Sequence, residues 1–290
     1  MFIDSYFTGN LVTKKRRDCC TNLTANADFG YPLPNELQRL SMAISTSPAN
    51  STAKLPEFLV SAASMEEFDL LATISQVDII DLKDPAWGAI SPASIDLWNL
   101  VAAKSSQLPK HQHLSAALGE FDQANQCAKQ LPPQFRFAKM GSSECDHVDL
   151  LMQRWRTIKN HLHASTELVA VAYADFKSAK SIDPMKVLLG AKAGGLKRIL
   201  IDTFQKDGRT SIDHLGIDQL RAFADAAYEN GIWWSLAGSI DLAQVDQLSL
   251  NGIHPDCIGV RGAVCDGGRS TSLSEEKCRR FSSTVHGHAT

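Results

Sequence analysis

From Glu57 onward the chain repeats one unit eight times: a short run rich in Val, Ile and Leu, then a longer amphipathic stretch. Apolar runs with no polar alternation are strands buried on both faces, so the repeat means a parallel sheet covered by helices. Strands are expected at 58–62, 77–82, 113–118, 135–139, 168–174, 197–202, 232–237 and 256–260. Helices are expected at 64–75, 147–163, 215–230 and 241–250, the first opened by Ser64 and Glu67 in capping-box spacing. Eight such units fit a closed (β/α)8 TIM barrel. An open doubly wound sheet would carry a GxGxxG turn after an early strand, and the sequence has none. The barrel domain is placed at residues 56–290.

Residues 1–55 read differently. Lys14-Lys15-Arg16-Arg17 is followed by a Ser, Thr, Asn, Ala and Pro-rich stretch with no sustained period. Such a segment cannot offset its ordering entropy by burial and is expected to be a flexible N-terminal extension. The basic run follows the short apolar start, the reverse of a signal peptide's order, and no stretch is apolar enough to span a membrane. Lys+Arg number 29 against 32 Asp+Glu, a net charge of −3, which argues against a nucleic-acid or membrane-surface partner. Seven cysteines without a CxxC pair argue against a disulfide scaffold or structural zinc site and suit a reducing cytoplasm. His161 and His163, two apart in an expected helix, do not share a face and make a poor metal pair. Assembly into a homo-oligomer is compatible with the sequence.

In an α/β barrel the chemistry gathers where the strands end. Strand two ends Asp81-Leu82-Lys83, and the period of two puts Asp81 and Lys83 on one side. Strand four ends at Lys139, strand five runs into Asp175, and strand six ends at Asp202 with Lys206 just beyond. One Lys–Asp pair would equally be an ion pair closing a barrel layer. Three lysines with carboxylates at one mouth point instead to a nucleophilic amine whose pKa is lowered by desolvation and neighbouring cations. Gly238-Ser239 and Gly262, after strands seven and eight, allow backbone N–H groups to approach an anion, and Arg261 adds a fork of donors suited to phosphate. Asp175 is grouped with these substrate contacts.

At these residues the chain resembles the (5-formylfuran-3-yl)methyl phosphate synthases of methanofuran and methylofuran biosynthesis. The likeness runs from about Phe58 to Gly268 and is carried by VDIIDLKDPAWGA (77–89), FAKMG (137–141), VAVAYAD (169–175), LIDTFQKDGRT (200–210), SLAGSI (235–240) and DCIGVRGAVCDGG (256–268). The resemblance implies a lyase of class I aldolase type with no metal or organic cofactor, joining two glyceraldehyde 3-phosphates with loss of phosphate and water. It implies Lys83 as the Schiff-base lysine, with Asp81, Lys139, Asp202 and Lys206 as the remaining catalytic residues. One lysine, Lys206 by preference, would interconvert glyceraldehyde 3-phosphate and dihydroxyacetone phosphate. Two departures stand out: the lone Arg269 in a Ser/Thr-rich stretch after Gly267-Gly268, and the N-terminal extension. Two other readings stay open: another Schiff-base aldolase or isomerase of phosphorylated sugars, and a non-catalytic sensor of phosphorylated metabolites.

Overall fold

The computed structural model describes residues 55–287. The expected extension therefore lies outside the described residues up to position 54. Eight strands form the barrel: β1 (Glu57–Ala62), β2 (Ile79–Leu82), β3 (His113–Ala117), β4 (Phe135–Met140), β5 (Glu167–Tyr173), β6 (Arg198–Asp202), β7 (Trp233–Leu236) and β8 (Cys257–Val260). Each pairs in parallel with the next, and β1 pairs with β8 to close the ring.

A helix follows every strand: α1 (Met65–Ala72), α2 (Ile95–Lys104), α3 (Phe121–Cys127), α4 (Val148–Lys159), α5 (Pro184–Ala193), α6 (Ser211–Asn230), α7 (Leu242–Leu250) and α8 (Glu275–Gly287). Their ends follow from local chemistry. Ser64 caps α1 by accepting from Glu67 N–H, while Asp241 and Gln244 form a reciprocal capping box on α7. Helix α6 starts earlier than its periodicity implies, because the Thr210–Asp213 capping box opens a turn ahead of Gly216, which interrupts the helix at φ 74, ψ 163. Helix α4 stops at Lys159, so His161 and His163 lie beyond it and bond to Asn125 and Ser165.

Strand alternation sorts the core into two layers. Outward positions such as Phe58, Val60, Ile80 and Trp234 pack against the helices, whereas Leu59, Ile79, Phe137, Val171 and Leu200 fill the barrel. Trp233 and Trp234 accordingly part: Trp233 faces inward under the Arg198 guanidinium, and Trp234 meets Phe223 of α6. Leu151, Trp155 and Ile158 of α4 are all buried at helical spacing, each contributing about 1.5–3 kcal/mol relative to exposure. Helix α8 returns to β1, where Phe281 stacks on Phe58 and His286 contacts Asp78.

Candidate active site

The upper layer of the barrel is polar because its inward positions are polar in the sequence. In register, Asp81 stands beside Ser61 on β1, Lys139 beside Ala117 on β3, and Asp202 beside Tyr173 on β5. Lys139 Nζ lies 2.6 Å from Asp81 Oδ2, both buried, and Ser61 Oγ donates to the same oxygen at 3.2 Å. Asp81 Oδ1 is buried without a hydrogen-bond partner. Burial alone would raise the Asp81 pKa, but the charges of Lys139 and Lys83 outweigh it and hold the carboxyl below its ordinary value.

A second pair forms beyond β6. Lys206 Nζ donates to Asp202 Oδ1 at 2.8 Å, Thr203 O at 2.7 Å and Thr203 Oγ1 at 3.0 Å. Burial raises Asp202, and the Lys206 and Lys83 charges more than reverse it, so Asp202 also sits below its usual range.

Lys83 is different. Among the described residues it forms no ion pair; the nearest acceptor recorded for its Nζ is Ala89 O at 3.5 Å. Burial lowers its pKa most, opposed by Asp202 and Asp81 and aided by Lys139 and Lys206, leaving it at about 8. Of the three lysines, Lys83 is the one whose amine is not clasped by a carboxylate. That is the condition for a nucleophile.

These lysines and Asp202 line a cleft of about 410 Å³ whose far wall is Gly238, Ser239, Gly262 and their neighbours. The wall is made of backbone by necessity. Gly238 has φ +91, and a Cβ there would stand 2.2 Å from Ser211 Oγ and 2.9 Å from Thr203 N. Ser239 follows with φ 59, so two successive residues turn left-handed at the cleft.

Two of the expected substrate contacts have their polar atoms engaged within the protein. Arg261 lines the cleft, but its five donors are all engaged: Nε with Arg269 O, Nη1 with Ser61 O and Glu67 Oε2, and Nη2 with Glu67 Oε1 and Thr271 O. Its fork is spent tying β1 and α1 to the loop after β8, leaving no N–H for a phosphate. Glu67, expected to reach back to the Ser64 N–H, instead accepts from Ala63 N and pairs with Arg261. Both oxygens of Asp175 accept backbone N–H groups, from Phe204 at 2.6 Å and Gln205 at 2.8 Å.

Two features went unassigned in the sequence. Arg269, half-buried on the cleft wall, bonds Gly88 O in the loop after β2; its signal in the sequence is the cation next to Gly267-Gly268. The Tyr173 hydroxyl, fully buried, donates to Glu120, which also accepts from Ser143 N. Burial and Glu120 push the Tyr173 pKa well up. No sequence spacing joins positions 53 apart on different strands' ends.

Burial raises the Cys265 thiol, whose sulfur contacts Arg261 O, so its surroundings favour the inert protonated form. Among the described residues no His, Cys, Asp and Glu group is arranged to hold a metal ion, and no helix is long and apolar enough to cross a membrane.

The closed barrel with lysines, aspartates and a glycine wall at its C-terminal mouth has the architecture of a (β/α)8-barrel enzyme. Solved structures agree on the fold: phosphoribosyl anthranilate isomerase of Thermotoga maritima matches with TM-score 0.53 at 12% identity, covering 80% of this chain and all of that one. Thiamine phosphate pyrophosphorylase of Pyrococcus furiosus matches with TM-score 0.51 at 13% identity, covering 82% and 99%. Sequence comparison is more specific. Residues 58–282 match the model of the 4-HFC-P synthase family, and the chain belongs to that family. A (5-formylfuran-3-yl)methyl phosphate synthase of Methanosarcina mazei is 31% identical over 236 residues, 76% of this chain and 95% of the relative. One from Archaeoglobus fulgidus is 28% identical over 79% of this chain and 99% of its own length.

Proposed function

We propose that the protein condenses two molecules of glyceraldehyde 3-phosphate into (5-formylfuran-3-yl)methyl phosphate, with Lys83 as the imine-forming amine. The observation that carries the reading is Lys83 itself, unpaired and lowered to about 8 between two Asp–Lys pairs. The family supplies the product, because its curated members are named for that synthesis.

Dihydroxyacetone phosphate, formed from one triose phosphate by proton transfer at Asp202 and Lys206, offers its ketone to Lys83. The amine adds to the carbonyl carbon, water leaves, and the imine acidifies the neighbouring C–H. Asp81 Oδ1, buried and without a partner, accepts that proton, and the enamine attacks the aldehyde of the second triose phosphate. Ring closure and eliminations expel one phosphate and two waters, and imine hydrolysis, which takes back the water lost when the imine formed, restores Lys83. No step changes the net oxidation state, so the balance requires no redox partner. Lys139, paired with Asp81, keeps that carboxylate ionised until the proton arrives. Gly238, Ser239, Gly262 and Arg269 take the retained phosphate, with Arg261 holding the loop that bears two of them.

The test is to incubate the purified protein with glyceraldehyde 3-phosphate and follow a furan chromophore with mass identification of the product. A phosphorylated formylfuran is expected. A different aldol product would assign the site to another phosphorylated sugar, and tight binding without turnover would leave a sensor.

A further inference from the structure

The loop after β6 carries Lys206, whose Nζ turns back to Asp202 and Thr203. Three successive backbone N–H groups of the loop are each captured by a carboxylate. Thr203 N donates to Asp202 Oδ1 at 2.8 Å, Phe204 N to Asp175 Oδ1 at 2.6 Å, and Gln205 N to Asp175 Oδ2 at 2.8 Å. The last two converge on a single carboxylate, as consecutive N–H groups do in an anion-binding concavity, and charge-assisted bonds of this length are strong. Here the anion is the side chain of Asp175, delivered from the end of β5 and itself buried. The Phe204 ring is fixed as well, edge-on to Tyr173 at 5.2 Å. Gln205 is the residue directly before Lys206, so the clamp ends one peptide short of the lysine.

We infer that Asp175 is a positioning residue for Lys206: its two oxygens fold the loop so that Lys206 Nζ returns to Asp202 and Thr203. The clamp places three acceptors around one ammonium group, Asp202 Oδ1, Thr203 O and Thr203 Oγ1. Asp175 acts only through Lys206 and touches no reacting atom. The catalytic consequence rests on the triose-phosphate role given to Lys206 above; the positioning itself does not.

Asp175→Asn is the informative change, because it keeps the volume but replaces one acceptor by an NH2 that faces the N–H of Phe204 or Gln205 donor to donor. In the full-length chain, acetic anhydride labelling with peptide mapping reads the exposure of Lys206 directly, with the exposed Lys110 as internal reference. The expected result is a threefold or greater rise in Lys206 labelling relative to Lys110. Asp175→Glu, which keeps both acceptors one methylene further out, should give a smaller rise. Unchanged Lys206 labelling in both variants overturns the inference, whatever the enzyme does. With glyceraldehyde 3-phosphate, furan formation by Asp175→Asn should fall at least tenfold with KM within threefold, while the adduct that borohydride traps at Lys83 from supplied dihydroxyacetone phosphate stays within twofold. In a Lys206→Ala background the same change should cost less than twofold further. An equal cost in both backgrounds would show that Asp175 does not act through Lys206. Wild-type protein that forms neither furan nor adduct refutes the proposed reaction, and the labelling result then decides the positioning alone.

Discussion

Asp81 and Lys139 stand on strands separated by β3, yet their charged ends meet at 2.6 Å inside the barrel. That contact sets the three cleft lysines apart from one another. Lys139 is matched by Asp81 and Lys206 by Asp202, which leaves Lys83 as the amine without a counter-ion at contact. The charge of Lys139 does lower Lys83, but burial does more.

Lys83 is expected to carry the covalent adduct. Borohydride reduction in the presence of glyceraldehyde 3-phosphate, followed by peptide mass mapping, should place the adduct on the peptide holding Lys83, and Lys83→Arg should abolish it. An adduct on Lys139 or Lys206 would move the nucleophile, and no adduct in any variant would end the imine mechanism.

The pH dependence follows from the same lysine. At a pKa of about 8, roughly a tenth of the amine is neutral at pH 7, against a few parts in ten thousand for an ordinary lysine. The rate of adduct formation should therefore rise with pH and level off above about 8. Stability should move the same way. The folded pKa lies below the unfolded value, so the native state holds fewer protons than the unfolded state between the two, and stability contributed by this group rises with pH there. Urea unfolding of wild type and Lys83→Met at pH 7 and pH 9.5 measures it. The wild type should gain on the variant by on the order of 1–2 kcal/mol across that interval; a gap that stays constant would contradict the lowered pKa.

The two arginines of the β8 loop should fail in different ways. Arg269→Ala removes a cation from the cleft wall and should weaken triose phosphate binding by about one to two decades, with the melting temperature little changed. Arg261→Ala leaves the buried Glu67 carboxylate without its cation, and should destabilise the fold by about 3–5 kcal/mol. Arg261→Lys should not restore it, since an ammonium cannot span Glu67, Ser61 O, Arg269 O and Thr271 O together. Denaturation and binding measured on both variants separate the roles. Lost affinity in a fully stable Arg261→Ala would return Arg261 to the phosphate site.

Residues 1–55 should be dispensable for turnover, because they contain none of the motif residues and the barrel closes through β1 on β8. A chain beginning near Ser51 should keep the specific activity of the full-length protein. Loss of activity with the melting temperature preserved would show that the extension completes the site.

The sequence by itself determined the barrel and its strand ends. Eight apolar runs can bury both faces only in a helix-covered parallel sheet, and residue alternation then fixes that Asp81, Lys139 and Asp202 point inward. What it could not determine is which partner each charged group takes, since those partners are brought together from other turns of the ring. Arg261 reads as a phosphate fork until closure of the barrel brings Glu67, 194 positions away, onto its guanidinium. Asp175 reads as a substrate contact until the loop after β6 folds two N–H groups onto it. Arg269 reads as a stray cation in a polar stretch until its loop crosses to Gly88. Periodicity is a local property of the chain and survives in one dimension; satisfaction of a buried charge is a contact between distant segments, and only the closed barrel decides it.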